Sequence, residues 1–414
     1  MDIWNNEERN IWTDNTEDRT MKNVTPIAGN VALTTLRAGM ANLSDSFAER
    51  DNVIKGVVIA ALAREHVLLL GPPGTAKSEL TRSLSDLLFG EGEFFSVLAT
   101  KFSTLEDFYG PVSIPEMKAG RFVRVTDGKA WDKKSVFVDE IFKASTSILN
   151  TLLKGMQERK ADNGGEVDIP LETLFGASNE YPESDALAAL YDRFQIKFWV
   201  DYIANPDNLL KVLVAGGAKK SLIRLSSDQL EELRSDVEAV PFGDVEARIL
   251  LVVKAAVEAE GFRPSDRTWI KASRIVRAAT VLAGRNKVRG EDFRVLADVL
   301  WKEHKDREKL AAVIGNAVDP YGARGEAILD GIRLAMRELP VMELLKSGQL
   351  KKTEMVTRVS AIMGQVAAER DKLMEQLDEA GDHEVLNDAL VAADAATNQL
   401  QALTLEIMKF RPSR

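Results

Sequence analysis

The stretch Gly71-Pro72-Pro73-Gly74-Thr75-Ala76-Lys77-Ser78 follows the apolar run Val67-Leu68-Leu69-Leu70 and precedes a segment of helical spacing from Glu79 to Leu88. A buried strand that enters a tight turn and leaves it as a helix aims backbone N–H groups and a helix N-terminus at one point. That arrangement favours a polyphosphate. In such a loop Lys77 reaches the β- and γ-phosphates and Ser78 holds Mg²⁺. Ala76 departs from the general pattern, which has glycine before the lysine. Alanine is tolerated there with a right-handed backbone, so the helix is expected to begin at that residue. The competing reading is a Pro-Gly turn between a strand and a helix, and partners elsewhere in the chain must decide.

Such partners exist. Ser135-Val136-Phe137-Val138-Asp139-Glu140 is an apolar strand ending in two carboxylates. A phosphate loop needs a second carboxylate site for its Mg²⁺, so Asp139 is expected near the metal's water shell and Glu140 where it orients or activates an attacking water. Leu171 to Ala177 reads as a further buried strand, ending at Ser178-Asn179. An amide at that strand end, beside Asp139 and Glu140, can sense a terminal phosphate; alone, it would be an asparagine in a turn.

Strands and helices alternate as far as Val200, which predicts a parallel sheet with its ligand at the carboxyl ends of the strands. Two hairpins are expected as insertions. One has Val112–Ile114 and Arg121–Val125 flanking Lys118-Ala119-Gly120, with Pro115 marking an edge or bulged strand. The other turns at Asp162-Asn163-Gly164-Gly165. From about Asn205 strand signals stop, and segments 206–216, 226–238, 244–260, 266–283 and 291–301 have helical spacing. Beyond Asp319-Pro320 two long helices, broken at Gly381-Asp382-His383, fit an antiparallel hairpin. Their apolar stripes are Met355, Val359, Ile362, Val366, Leu373 and Leu377, and Leu386, Leu390, Ala393, Leu400, Leu403 and Ile407. The expected division is an arm over 1–30 carrying Trp4 and Trp12, an α/β domain over 31–205, a helical domain over 206–318 and a helical extension over 319–414.

Composition narrows the partners. The net charge of −10 disfavours a broad electrostatic track for nucleic acid or anionic membrane. With no cysteine there is no disulfide, thiolate metal site or thiol nucleophile, which fits a reducing compartment. No secretory signal and no bilayer-spanning stretch is apparent, so a cytoplasmic protein without membrane insertion is expected.

The order of these parts resembles the AAA+ ATPases, and within them the MoxR family, particularly its RavA-like branch. The resemblance rests on Ala63-Arg64-Glu65-His66-Val67-Leu68-Leu69-Leu70 leading into the phosphate loop, then Val138 to Ala144, Leu149 to Leu153, and Gly176-Ala177-Ser178-Asn179-Glu180. It covers roughly residues 30–305, and Ala76 is ordinary in that family. It implies an AAA+ core with a central parallel sheet flanked by helices, an all-α lid and hydrolysis of ATP with Mg²⁺. Gly71, Pro72, Pro73, Gly74, Thr75, Ala76, Lys77, Ser78 and Glu79 would form the Walker A site, and Asp139 and Glu140 the Walker B pair. Asn179 would be sensor 1, Arg193 an arginine finger for the neighbouring subunit and Arg267 the sensor 2 residue of the lid. Arg263 and Arg274 compete for that last role. The resemblance further implies a homo-hexamer that remodels or matures a partner, with a von Willebrand factor A domain protein as the leading candidate. A nucleic-acid motor, favoured by Lys118, Arg121 and Arg124, and a nucleotide-gated scaffold are the alternatives.

Overall fold

The computed structural model describes residues 30–215, 223–337, 352–380 and 384–409. The N-terminal arm over 1–29 and the expected break at 381–383 lie outside the described residues. Two compact units are present, Met1–Ala311 and Ala312–Arg414.

The first unit opens with α1 (Val31–Ser46), capped by the Asn30 side chain, and α2 (Asp51–Leu62), whose second half is buried throughout. Strand β1 (Val67–Leu70) then leads through the glycine-rich loop into α3 (Lys77–Phe89). Next come β2 (Phe94–Leu98), two short helices α4 (Leu105–Tyr109) and α5 (Ile114–Lys118), and β3 (Ser135–Asp139). Helix α6 (Thr146–Glu158) precedes the hairpin of β4 (Lys160–Asp162) and β5 (Glu166–Asp168), then β6 (Thr173–Ser178), α7 (Asp185–Tyr191) and β7 (Ile196–Trp199).

Five of these strands form one sheet in the order β2-β3-β6-β1-β7, and all its pairings are parallel. The register sets the site. Leu70 pairs with Ser178 and with Trp199, and Leu98 with Asp139, so all five strands finish at one edge of the sheet. A continuous apolar run is what a strand covered on both faces requires, and β1 and β6 are buried at every position.

The expected first hairpin is reduced to a single antiparallel bridge, Val112 with Arg124. Residues Ile114–Lys118 form α5 instead of a strand, with Pro115 in its first turn. A proline missing its N–H costs nothing there, whereas a ladder would lose a bond. The second hairpin is present as expected, Lys160 pairing with Asp168 and Asp162 with Glu166.

Helices α8 (Pro206–Ala215), α9 (Ser227–Ala239), α10 (Asp244–Ala259), α11 (Asp266–Leu282) and α12 (Ala297–Leu300) follow the sheet, with α13 (Asp306–Val318) closing the series. Of these, α9 and α11 pack on α2. Buried Arg234 of α9 donates to the Ala61 carbonyl at 3.0 Å and pairs with Glu172 at 3.0 Å, and Lys271 of α11 pairs with Glu65 at 2.7 Å. The edge strand β7 is covered by the chain around α12. Lys197 Nζ donates to Val299 O at 2.5 Å, and Trp301 Nε1 donates to Lys197 O at 3.2 Å.

The second unit holds α14 (Pro320–Arg337), α15 (Lys352–Ala380) and α16 (Glu384–Lys409). The apolar stripes of α15 and α16 meet in one core with Ile328 and Ile332 of α14, a third helix that the two-helix expectation had not included. On α16 the buried position is Ala389, with neighbouring Leu390 half-buried.

Candidate nucleotide site

The loop between β1 and α3 is shaped by two backbone demands. Gly71 has φ +135°, and a Cβ there would lie 2.2 Å from Val200 O, so only glycine lets β1 turn against the end of β7. Ala76 has φ 60° and ψ 24°, in the left-handed region, and the helix starts one residue later at Lys77. The expectation of a right-handed Ala76 is thus overturned. A left-handed residue joined to a right-handed one curls successive N–H groups inward as an anion-binding nest, and that curl takes precedence over the local cost of alanine in this region. The amides of Gly74, Thr75 and Ala76 take no acceptor among the described residues.

Lys77 folds back over the loop. Its ammonium donates to Gly71 O and Pro72 O, both at 2.8 Å, and contacts Thr75 Oγ1 at 3.4 Å and Asn179 Oδ1 at 3.5 Å. Burial lowers its pKa, the Asp139 and Glu140 carboxylates pull the other way, and Arg50 adds to the lowering. Ser78 and Glu79 are exposed in the first turn of α3.

On the neighbouring strand ends, Asp139 Oδ1 accepts the Glu140 N–H at 3.0 Å. Glu140 has φ 52° and ψ 41°, a second left-handed residue at this edge. Asn179 Nδ2 donates to Glu140 Oε1 at 2.6 Å, and Lys143 Nζ lies 3.2 Å from Glu140 Oε2. One polar chain therefore runs Lys77–Asn179–Glu140, with the amide of Asn179 facing ammonium and carboxylate at once. Lys77 follows β1 through the loop, Asp139 and Glu140 stand at the end of β3 and Asn179 follows the end of β6, and the register brings them together. No cluster of three or more His, Asp or Glu suited to a metal exists among the described residues. Mg²⁺ carried with phosphates needs one or two protein ligands, and the Ser78 hydroxyl and Asp139 carboxylate are of the hard oxygen type it takes.

The structure does not bring the two arginines to this cluster. Arg193 lies in the turn between α7 and β7, and Arg267 lies in the first turn of α11. Asp192 accepts the Ser265 hydroxyl at 3.1 Å, which seats the start of α11 beside the start of β7. Burial, and after it the nearby Arg267 charge, lowers the Arg193 pKa. Both guanidinium groups are thus carried by segments at the end of β7 opposite to the end where Lys77 sits.

Two features escaped the reading of the sequence. Arg50, 8% exposed, donates to Asp201 O at 2.5 Å and stands close enough to depress Lys77. It stands at the start of α2, where the sequence offers only the charged Glu49-Arg50 pair as a signal. The second is an aromatic stack on the same edge, with Trp199 and His304 4.2 Å apart and Tyr181 hydrogen-bonded to His304 Nδ1 at 2.9 Å. Tyr181 follows Asn179 by two residues, but nothing local points to its contact with residue 304.

A parallel sheet with a phosphate-type loop, a carboxylate pair and an asparagine on adjacent strand ends defines a nucleotide-binding α/β protein. Residues 34–237 match the model of the MoxR domain in the MoxR-vWA-beta-propeller ternary systems, and residues 247–314 match an AAA lid domain. Two uncharacterised proteins of Methanocaldococcus jannaschii are similar: MJ0812, 33% identical over 72% of this chain and 80% of its own length, and MJ0079, 34% identical over 75% and 81%. A structural protein of Acidianus two-tailed virus, ORF618, is 28% identical over 46% of this chain and 30% of its own. Among solved structures, a candidate ATPase from Cytophaga hutchinsonii superposes with a TM-score of 0.56 at 19% identity, covering 69% of this chain and 94% of its own. The chain belongs to the MoxR family of AAA+ ATPases.

Proposed function

We propose that this protein hydrolyses ATP with Mg²⁺ as one subunit of a ring, in the cytoplasm, and uses turnover to remodel or mature a partner protein. The observation that carries the reading is the Lys77–Asn179–Glu140 chain at the mouth of the nest. The loop amides and Lys77 would bind the phosphates, Asn179 would position the terminal phosphate and the attacking water, and Glu140 would take that water's proton. Mg²⁺, held by Ser78 and near Asp139, would neutralise charge on the phosphates. We read residues 31–205 as the nucleotide-binding domain, 206–318 as its lid and 319–414 as an extension.

Assembly is supported by two observations. Arg193 and Arg267 lie at the far end of β7 from their own chain's loop, so both are read as acting on a neighbouring copy. Helix α8 leaves Leu213 69% and Val214 78% exposed, an apolar face of the kind a ring of six copies would cover. A von Willebrand factor A domain protein is the leading partner because the matching MoxR model is named for systems containing one. We read the chain as nearest the RavA-like branch, a reading supported by its motif string alone. The Tyr181–His304 contact offers a route from the terminal phosphate to the lid. The nucleic-acid reading is the weaker alternative: of Lys118, Arg121 and Arg124, on which it rests, Arg121 is paired with Glu116.

The test is a pair of variants. Glu140→Gln is expected to retain ATP while turnover falls by about 10²–10⁴-fold, and Lys77→Ala to bind ATP weakly. Normal steady-state ATPase in both refutes the site.

A further inference from the structure

The two inserted segments meet away from the nucleotide site. Asn163, at the tip of the β4–β5 hairpin, accepts the Arg124 N–H at 2.6 Å and donates to Arg124 O at 3.3 Å. Gly164 beside it is pressed against the same loop, where a Cβ would lie 2.6 Å from Val123 Cγ2. Between this clasp and α6 lies a cavity of about 300 Å³, lined by Tyr109, Trp131, Phe122, Arg124, Thr151 and Lys154 among others. Tyr109 and Trp131 stack at 4.3 Å to form one wall. The Tyr109 hydroxyl is buried and has no partner among the described residues.

Two properties of this cavity say what it fits. Residues 102–125, which include the first of these segments, expose several large apolar side chains, with Phe102 92%, Ile114 66% and Phe122 60% exposed and Met117 and Val125 also open to solvent. Lone exposed apolar side chains need no explanation, but a group of them on the chain segment that supplies Phe122 and Arg124 to an aromatic cavity marks an interaction site. The second property is charge. Lys154 is already neutralised by Asp162 at 2.6 Å. Arg124 donates to Gly110 O at 2.8 Å and stands over the Phe122 ring, and it has no carboxylate partner among the described residues. A guanidinium with spare donors beside an aromatic slot is complementary to an apolar side chain next to a carboxylate. Nucleic acid is the poorer match, since residues 98–131 carry five basic and four acidic side chains and form no basic track.

We propose that this cavity is a docking site for a partner protein, which inserts an aromatic side chain against Tyr109 and Trp131 and sets an adjacent carboxylate on Arg124. The proposal rests on the reading that the ring acts on a protein. Binding is measured here without turnover, so failure of the pocket and failure of the ATPase assignment are separate results.

The experiment uses the full chain and fluorescein-labelled octapeptides of Gly and Ser carrying a central Phe-Asp pair. Matched Phe-Lys and Ala-Asp peptides and a labelled dT20 serve as competitors, read by fluorescence anisotropy. The Phe-Asp peptide is expected to bind at least about tenfold more tightly than the other three, the scale of one charge-assisted bond or one buried ring. Arg124→Gln should remove the preference for Asp over Lys while leaving basal ATPase unchanged. Thr151→Phe, which fills the cavity from the rigid α6, should abolish binding of every peptide with the circular dichroism spectrum unaltered. Equal affinity for Phe-Asp and Phe-Lys, no binding by any peptide, unchanged binding in Thr151→Phe, or preference for dT20 would each overturn the proposal.

Discussion

Lys197 offers the most quantitative test of how the lid is joined to the sheet. It lies in β7, is 6% exposed, and donates to Val299 O at 2.5 Å and Phe194 O at 3.4 Å. Burial pushes its pKa from 10.5 down to about 8, against the opposing pull of Asp192 and Asp298. Between those two values the unfolded chain holds a proton that the folded chain has released, so stability rises with pH. The contribution is complete above 10.5 and is lost as pH falls through about 8. From about pH 7 to about pH 9.5 the linkage relation gives roughly 2 kcal/mol for this one group. Other groups titrate in the same range, so the measurement is a difference. Lys197→Met keeps the length and removes the charge. Urea unfolding of both proteins at the two pH values, followed by fluorescence and circular dichroism, should show the wild type gaining about 2 kcal/mol on the variant as pH rises. A gap constant to within about 0.5 kcal/mol would mean that Lys197 is hydrated or mobile, and that it does not clamp the lid segment as a dry, buried amine.

Three further outcomes are expected. Mixing Arg193→Ala with Lys77→Ala, each inactive alone, should restore part of the ATPase activity, because intact loops then meet intact arginines across some interfaces; no recovery at any ratio would rule out a shared site. Asn179→Ala should lower kcat by about 10²–10³-fold with a much smaller change in ATP affinity measured by titration, and an equal loss in both would make Asn179 a packing residue of the loop. At Ala76, valine in the left-handed region should cost about 1–2 kcal/mol and weaken nucleotide binding, while glycine should be tolerated; an unchanged melting temperature in Ala76→Val would show that the loop relaxes to another shape.

What was legible in the chain follows from how locally each feature is determined. Strands β1, β3 and β6 were visible because a strand covered on both faces must be apolar throughout; Asp139 and Asn179 were visible as polar interruptions at the ends of β3 and β6, and Lys77 from the glycine-rich loop that follows β1. A hairpin was readable at Asn163-Gly164, where turn chemistry and strand pattern agree. It was misread at 112–125, where Pro115 and Ser113 favour a helix start over a ladder. Ala76 was misread for a related reason: alanine's own preference is right-handed, and only the need to converge the loop amides explains its φ of 60°.

Contacts across long separations left no local trace. Nothing near Tyr181 announces His304, and nothing near Asp192 announces Ser265, yet the second of these decides how the arginines are to be understood. In a linear motif scheme Arg193 and Arg267 belong to two different devices, one reaching outward and one closing over its own nucleotide. The fold instead binds the turn before β7 to the start of α11, so the two guanidinium groups form one basic feature, in which burial and then the nearby Arg267 charge lower the proton affinity of Arg193. Repulsion between two cations side by side is relieved by an anion placed between them. A site made by the loop of one copy and both arginines of the next supplies that anion, and it would make each subunit's ATP a bridge between neighbours. In the proposed ring nucleotide binding should therefore tighten assembly, an outcome that sedimentation of Glu140→Gln with and without ATP reads directly.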